Sequence, residues 1–241
     1  MALPALALVP GRAVGRVHLV DDPLAWSSDR DGGGDVLSLP SLWWPPGEPL
    51  PAGARAVLLQ GVPETIRADE VVVPTLAGVD ADLLREGETV AVDGDAGAFR
   101  IDGVEEIEVV TVFLQRSDGA ILLLQRSDRV GSFQGHWAGV SGFLEDPTPI
   151  DQALREVREE TGLGTDALRV AAAGTPVLAR DGAKVFVVHP FRFRADRTDV
   201  RLDWEHTRAE WVDPSEIRRR PTVPKLDRVW SAVAPQAVPK A

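Results

Sequence analysis

The chain has 241 residues, of which 44% are hydrophobic and 26% charged, with a formal net charge of -11; this is the profile of a globular protein and not of a disordered or membrane-embedded one. The length suits one large domain or two small ones, and the acidic balance excludes a protein that grips long nucleic acid through a basic stripe. No cysteine is present, which removes disulfides, thiolate metal ligands and a Cys nucleophile together.

The opening Met1 to Pro10 is apolar, lacks a basic start and carries two prolines, so no signal peptide is expected. No stretch approaches the ~18 to 20 apolar residues of a spanning helix. The expected location is cytoplasmic, away from membranes. From Val14 to Ile101, short apolar runs separated by Gly, Pro and Asp predict strands at Val17–Val20, Val36–Leu39, Ala56–Gln60, Val71–Leu76 and Thr89–Val92. Ser27–Gly34 and Pro40–Gly53 read as loops, the second with adjacent tryptophans Trp43 and Trp44 that fit an edge of the core. His18, inside an alternating run, reads as a partly packed strand residue.

The words Val73 to Val79 and Leu84 to Gly97 resemble the tail of the swivelling domains of phosphoenolpyruvate-utilising enzymes. That resemblance covers residues 70–102 and implies a compact β/α unit, here without the Gly- and Ser/Thr-rich histidine motif of those domains. A docking or specificity module is the expected role. The turn at Asp93–Gly97 predicts a hairpin closing this unit, and the domain boundary is placed near Gly103, giving a smaller β-rich domain over 1–103 and a second domain over 104–241.

Beyond Glu105 the strands become longer and more apolar. Glu108–Leu114 and Ala120–Leu124, joined by Ser117-Asp118-Gly119, predict a hairpin. Later strands are expected at Val170–Ala172, Ala183–Arg194 and Ala209–Val212, and a helix from Pro224 to Val233.

Between hairpin and later strands lies Thr148-Pro149-Ile150-Asp151-Gln152-Ala153-Leu154-Arg155-Glu156-Val157-Arg158-Glu159-Glu160-Thr161-Gly162-Leu163. Thr148 is a good N-cap, Pro149 a good first position and Gly162 a good stop. Ile150, Ala153, Leu154 and Val157 share one stripe, while Glu156, Glu159 and Glu160 crowd an adjoining arc. Arg155 is spaced to pair with Glu159, and Asp151 with Arg155. Crowded acids repel unless a cation sits among them, and oxygen ligands suit Mg²⁺ or Mn²⁺.

The segment resembles the Nudix box, Gly-x5-Glu-x7-Arg-Glu-apolar-x-Glu-Glu-x-Gly-apolar, and matches its second half from Arg155 to Leu163 at every defined position. The likeness extends from Glu105 to Val233 and implies an α/β fold, the Nudix α/β/α sandwich of a mixed sheet with flanking helices. Counting back from Arg155, the upstream Glu of the box falls on Pro147 and its leading Gly on Ser141. One residue is thus missing after Gly142, which still serves as the leading glycine. In the family that Glu braces the arginine. Glu145, Asp146 and Asp151 are the acids placed to compensate.

The resemblance implies a metal-dependent hydrolase that cleaves a diphosphate linkage in a nucleoside diphosphate-X or related small phosphorylated substrate. Glu156, Glu159 and Glu160, with a backbone carbonyl near Gly142, would hold Mg²⁺ or Mn²⁺; Arg155 would orient the acids. A helix acid or Glu205 would take the proton of the attacking water, although Glu205 and His206 fit polar loop positions at least as well; His136 and Trp137 lie where a substrate could stack, and a buried Trp beside the helix is an equal reading. The main alternative is a Nudix-fold ligand-binding or regulatory protein with weak or no turnover. An isopentenyl diphosphate isomerase is disfavoured by the lack of cysteine, and RNA decapping by the lack of a basic patch. A homodimer is a candidate assembly.

Overall fold

The computed structural model describes residues 2–20, 35–40, 53–62 and 73–235. The expected loop at Ser27–Gly34, the Trp43-Trp44 pair and the first two residues of the expected strand Val71–Leu76 lie outside the described residues. The chain divides into two compact units, Met1–Glu105 and Glu106–Ala241.

The first unit is a sheet of β1 (Leu3–Pro4), β2 (Leu6–Val9), β3 (Arg12–Leu19), β4 (Asp35–Leu39), β5 (Ala54–Leu59), β6 (Thr75–Ala77), β7 (Thr89–Asp93) and β8 (Ala98–Ile101). Their spatial order is β1-β8-β7-β3-β4-β5-β6-β2. β3 belongs to both halves of this sheet. Residues 12–16 pair antiparallel with β7, and Val17 to Leu19 pair parallel with β4. Buried Val17, Leu37, Leu58, Leu76, Val90 and Phe99 fill its core. The strands β1 and β2 were not expected from sequence, because the prolines at 4 and 10 read as breakers. Both are edge strands, where a missing N–H is tolerated. His18 stands between two acids, with Nε2 3.1 Å from Asp35 Oδ2 and Nδ1 2.7 Å from Glu86 Oε1.

The second unit is built on β9 (Glu105–Gln115), β10 (Ile121–Arg126), β11 (Trp137–Ala138), β12 (Val140–Phe143), β13 (Leu168–Ala173), β14 (Val177–Asp181), β15 (Lys184–Ala195) and β16 (His206–Val212). Its central order is β11-β10-β9-β15-β13, with β12 on β9, β14 on β15 and β16 on β10. Two helices, α1 (Pro149–Thr161) and α2 (Leu226–Ser231), complete it.

The period-two alternation of the strands decides which helix each side chain meets. Val110, Val112 and Leu114 of β9 and Leu122 and Leu124 of β10 join Ala153 and Val157 of α1 in one core. The intervening Phe113, Ile121 and Leu123 join Leu226 and Val229 of α2 in another. The sheet is therefore buried on both faces, which makes the α/β/α sandwich. Phe113 also meets Trp230 edge-on at 5.2 Å. Buried Arg192 donates to Val233 O at 2.7 Å and Gln115 Oε1 at 2.6 Å, tying the chain after α2 to the sheet.

Candidate active site

Helix α1 starts and stops where local chemistry demands. Thr148 is extended, and its hydroxyl accepts the Asp151 N–H at 3.3 Å while donating to Asp151 Oδ2 at 2.5 Å. Gly162 is left-handed at φ 72°, and its N–H bonds Arg158 O at 2.9 Å. Between these ends, Gln152, Ala153, Val157, Glu160 and Thr161 are buried. One face of the helix is thus anchored while Glu156 and Glu160 meet β12.

The approach of α1 to β12 is very close. A Cβ placed on Gly142 would lie 2.0 Å from Glu156 Oε1 and 2.1 Å from its Cδ, so the carboxylate occupies the space that any other residue's side chain would need. One turn on, Glu160 Oε1 accepts the Ser141 N–H at 3.1 Å. Its Oε2 is buried without a hydrogen bond, 3.6 Å from His206 Nε2. His206 Nδ1 lies 3.2 Å from Asp203 Oδ1, which places the ring proton on Nδ1. At 3.6 Å the His206 Nε2 and Glu160 Oε2 atoms are beyond hydrogen-bond reach, which leaves that oxygen unmet.

The electrostatics follow from this crowding. Burial pushes the Glu160 carboxyl well above its usual range and depresses the His206 imidazole. Burial also raises Glu156, an effect offset by the Gln152 hydrogen bond and reinforced by Glu159. Glu205 is raised by burial and then by Asp203. Each acid would gain from a cation. Exposed Glu159 makes no hydrogen bond among the described residues.

Arg155 reaches backward. Its Nε donates to Asp146 Oδ2 and its Nη2 to Glu145 Oε2, both at 3.0 Å, and Nη2 also donates to Gln152 Oε1 at 2.8 Å. The pairs expected with Glu159 and Asp151 do not form. Helical side chains lean toward the N-terminus, so the guanidinium meets the residues before the helix and Asp151 turns to the cap. Glu145 and Asp146 thereby brace the arginine.

A cavity of about 320 Å³ opens over this face. Glu145, Glu156, Glu159 and Glu205 line its acidic side; Phe133, Phe143 and Phe186 supply apolar wall, and Arg126 and Arg180 add cationic groups. Glu160 is not among the lining residues. Neither are His136 and Trp137: Trp137 is buried in the core beneath α2, covered by Arg220 at 4.6 Å from its ring centroid. Phe133, held at φ 51°, takes the lining position instead. Nothing in the sequence marks that conformation. Gln152 was legible in principle, as a lone amide in an apolar stripe one turn before Glu156. Among the described residues no three His, Asp or Glu side chains stand close enough to enclose an ion.

With that geometry in hand, the NUDIX domain model matches residues 106–232, more than half of the chain, and the chain belongs to that family. A search of curated proteins gives no match. Similar solved structures include a MutT protein from Methanosarcina mazei Go1, at 23% identity and TM-score 0.46, covering 53% of this chain and 92% of that one. A C. elegans Ap4A hydrolase in a binary complex is similar at 20% identity and TM-score 0.45, covering 52% and 93%. A dihydroneopterin triphosphate pyrophosphohydrolase from E. coli is similar at 19% identity and TM-score 0.44, covering 54% and 97%.

Proposed function

We propose that the second unit is a divalent-cation-dependent hydrolase that cleaves a diphosphate linkage in a small, nucleotide-derived molecule. The observation that carries this reading is the acidic wall of the cavity, where the Glu156 carboxylate is seated on Gly142 with no room for a side chain. The donor set suits a hard cation: Glu156 and Glu159 offer carboxylate oxygens at the cavity, and the buried Glu160 Oε2 lacks a partner. A backbone carbonyl near Gly142 would complete the set.

A Mg²⁺ or Mn²⁺ ion bound there would neutralise charge on the diphosphate oxygens. The protein's own groups do the rest. Arg155, fixed by Glu145 and Asp146, orients the helix acids. Glu205 lines the cavity and burial raises its pKa, which makes it the stronger base and the candidate to take a proton from water. Arg126 and Arg180 are placed to meet phosphate oxygens, and Phe133, Phe143 and Phe186 to meet an apolar or aromatic group. The first unit, residues 1–103, serves in this reading as a docking or specificity module.

The test is product release from ADP-ribose, dinucleoside polyphosphates, nucleotide sugars and nucleoside triphosphates by the full chain, with Mg²⁺ or Mn²⁺ and after chelation. Hydrolysis that survives chelation, or survives Glu159→Gln unchanged, removes the proposal. A second reading, a ligand-binding member without turnover, is favoured by one observation: no three acids converge among the described residues. Tight equilibrium binding of one of these compounds with no product formed would select it.

A further inference from the structure

We propose that Gln152 is a positioning residue of this site, which locks the Glu145–Asp146 loop, the Arg155 guanidinium and the Glu156 carboxylate into one frame. What the frame does for catalysis rests on the hydrolase reading above. Gln152 is fully buried, at a helix position whose neighbours Ala153 and Val157 are core residues. A buried amide is kept in such a place only when its groups are met.

Here both heavy atoms of the amide are engaged. Gln152 Oε1 accepts the Glu145 and Asp146 N–H groups, each at 2.9 Å, and Arg155 Nη2 at 2.8 Å. Its Nε2 donates to Glu156 Oε1 at 2.5 Å. The orientation of the amide is therefore fixed. Reversal would set an NH₂ against three donors and an oxygen against a carboxylate.

Arg155 makes no hydrogen bond to Glu156 among the described residues; Gln152 stands between them and transmits the order of one to the other. The N–H bond occupies Glu156 Oε1 and sets the plane of the carboxylate. Glu156 Oε2 takes no hydrogen bond among the described residues and belongs to a side chain that lines the cavity. A glutamine does this better than an acid at the same position, because an ionised carboxylate there would accept the same three donors and repel Glu156.

Two full-chain variants test the proposal. Gln152→Glu keeps the three accepted bonds and abolishes the one donated to Glu156; Gln152→Met abolishes all four. At slightly alkaline pH, Gln152→Glu should melt below the parent, because it sets a second buried carboxylate against Glu156, and the folded variant should lose about 10- to 100-fold in kcat against the most active diphosphate, with KM changed by about threefold or less. A residue that only held the loop would leave kcat intact in this variant. Gln152→Met should in addition speed hydrogen exchange at the Glu145 and Asp146 amides, a readout independent of turnover. Full kcat in Gln152→Glu, or unchanged exchange in a folded Gln152→Met, overturns the proposal. Should Gln152→Met fail to fold, Gln152→Glu decides. A parent that hydrolyses nothing, while the amides are still freed in Gln152→Met, overturns the hydrolase reading and upholds the frame.

Discussion

His18 in the first unit and Glu156 in the second both sit among carboxylates, yet the two clusters differ in what they leave unmet. Both ring nitrogens of His18 face an acid, and the Leu19 N–H takes the remaining Glu86 oxygen at 2.7 Å. In the second unit Glu160 Oε2 is orphaned, Glu159 is unbonded, and Glu156 and Glu205 both carry raised pKa values. A cluster whose polar atoms are met from within the fold stabilises that fold. One that leaves buried carboxylates unmet holds them at a cost in desolvation.

The largest expected effect comes from removing the unbalanced charge. Glu156→Gln and Glu159→Gln should each lower kcat about 10²-fold or more, as loss of several kcal/mol of charge stabilisation predicts. Steady-state kinetics with saturating Mg²⁺ checks this, and variants at parental rate would put the chemistry elsewhere. Gly142→Ala comes next. Its methyl group would overlap the Glu156 carboxylate, so cation affinity and kcat should fall together while overpacking costs about 1–3 kcal/mol of stability. Calorimetric titration and thermal melting separate the two effects.

Glu160 sharpens the comparison through pH. Its carboxyl is held well above the ordinary 4.5 by burial, so above pH 4.5 and up to the raised value the native state holds a proton that the unfolded chain has released. Stability therefore falls as pH rises through that window. Glu160→Gln, an uncharged isostere, should flatten the decline in metal-free melting temperature; parallel profiles for variant and parent would show that ionising Glu160 carries no penalty. The smallest effect is expected in the His18 cluster. Glu86→Gln should weaken the first unit by about 0.2–1 kcal/mol, the range of exposed ion pairs, and leave hydrolysis unaltered. A loss of turnover there would show that the His18 cluster does more than hold its own unit together.

Much of the second unit was legible because its signals are periodic or local. The hairpin of β9 and β10 follows from apolar runs around Ser117-Asp118-Gly119, and α1 follows from a Thr-Pro start and a Gly stop. The cavity was less legible. Phe143, Phe186, Arg126 and Arg180 come from four different strands, and which strand faces pair is a long-range choice that spacing along the chain does not encode. Trp137 shows the converse: an aromatic beside the box is open to two readings, substrate platform or buried residue, and the alternation of β11 turns it into the core.

By itself the sequence determined the acid-rich helix, its ends and the family to which residues 106–232 belong, since those depend on side chains a few residues apart. Only the tertiary structure decided how the acids are used. The contact of Glu156 with Gly142, the brace of Arg155 by Glu145 and Asp146, and the burial of Glu160 beside His206 all require β12, α1 and the start of β16 to meet. That meeting is set by the packing of two apolar faces of one sheet and not by any local rule.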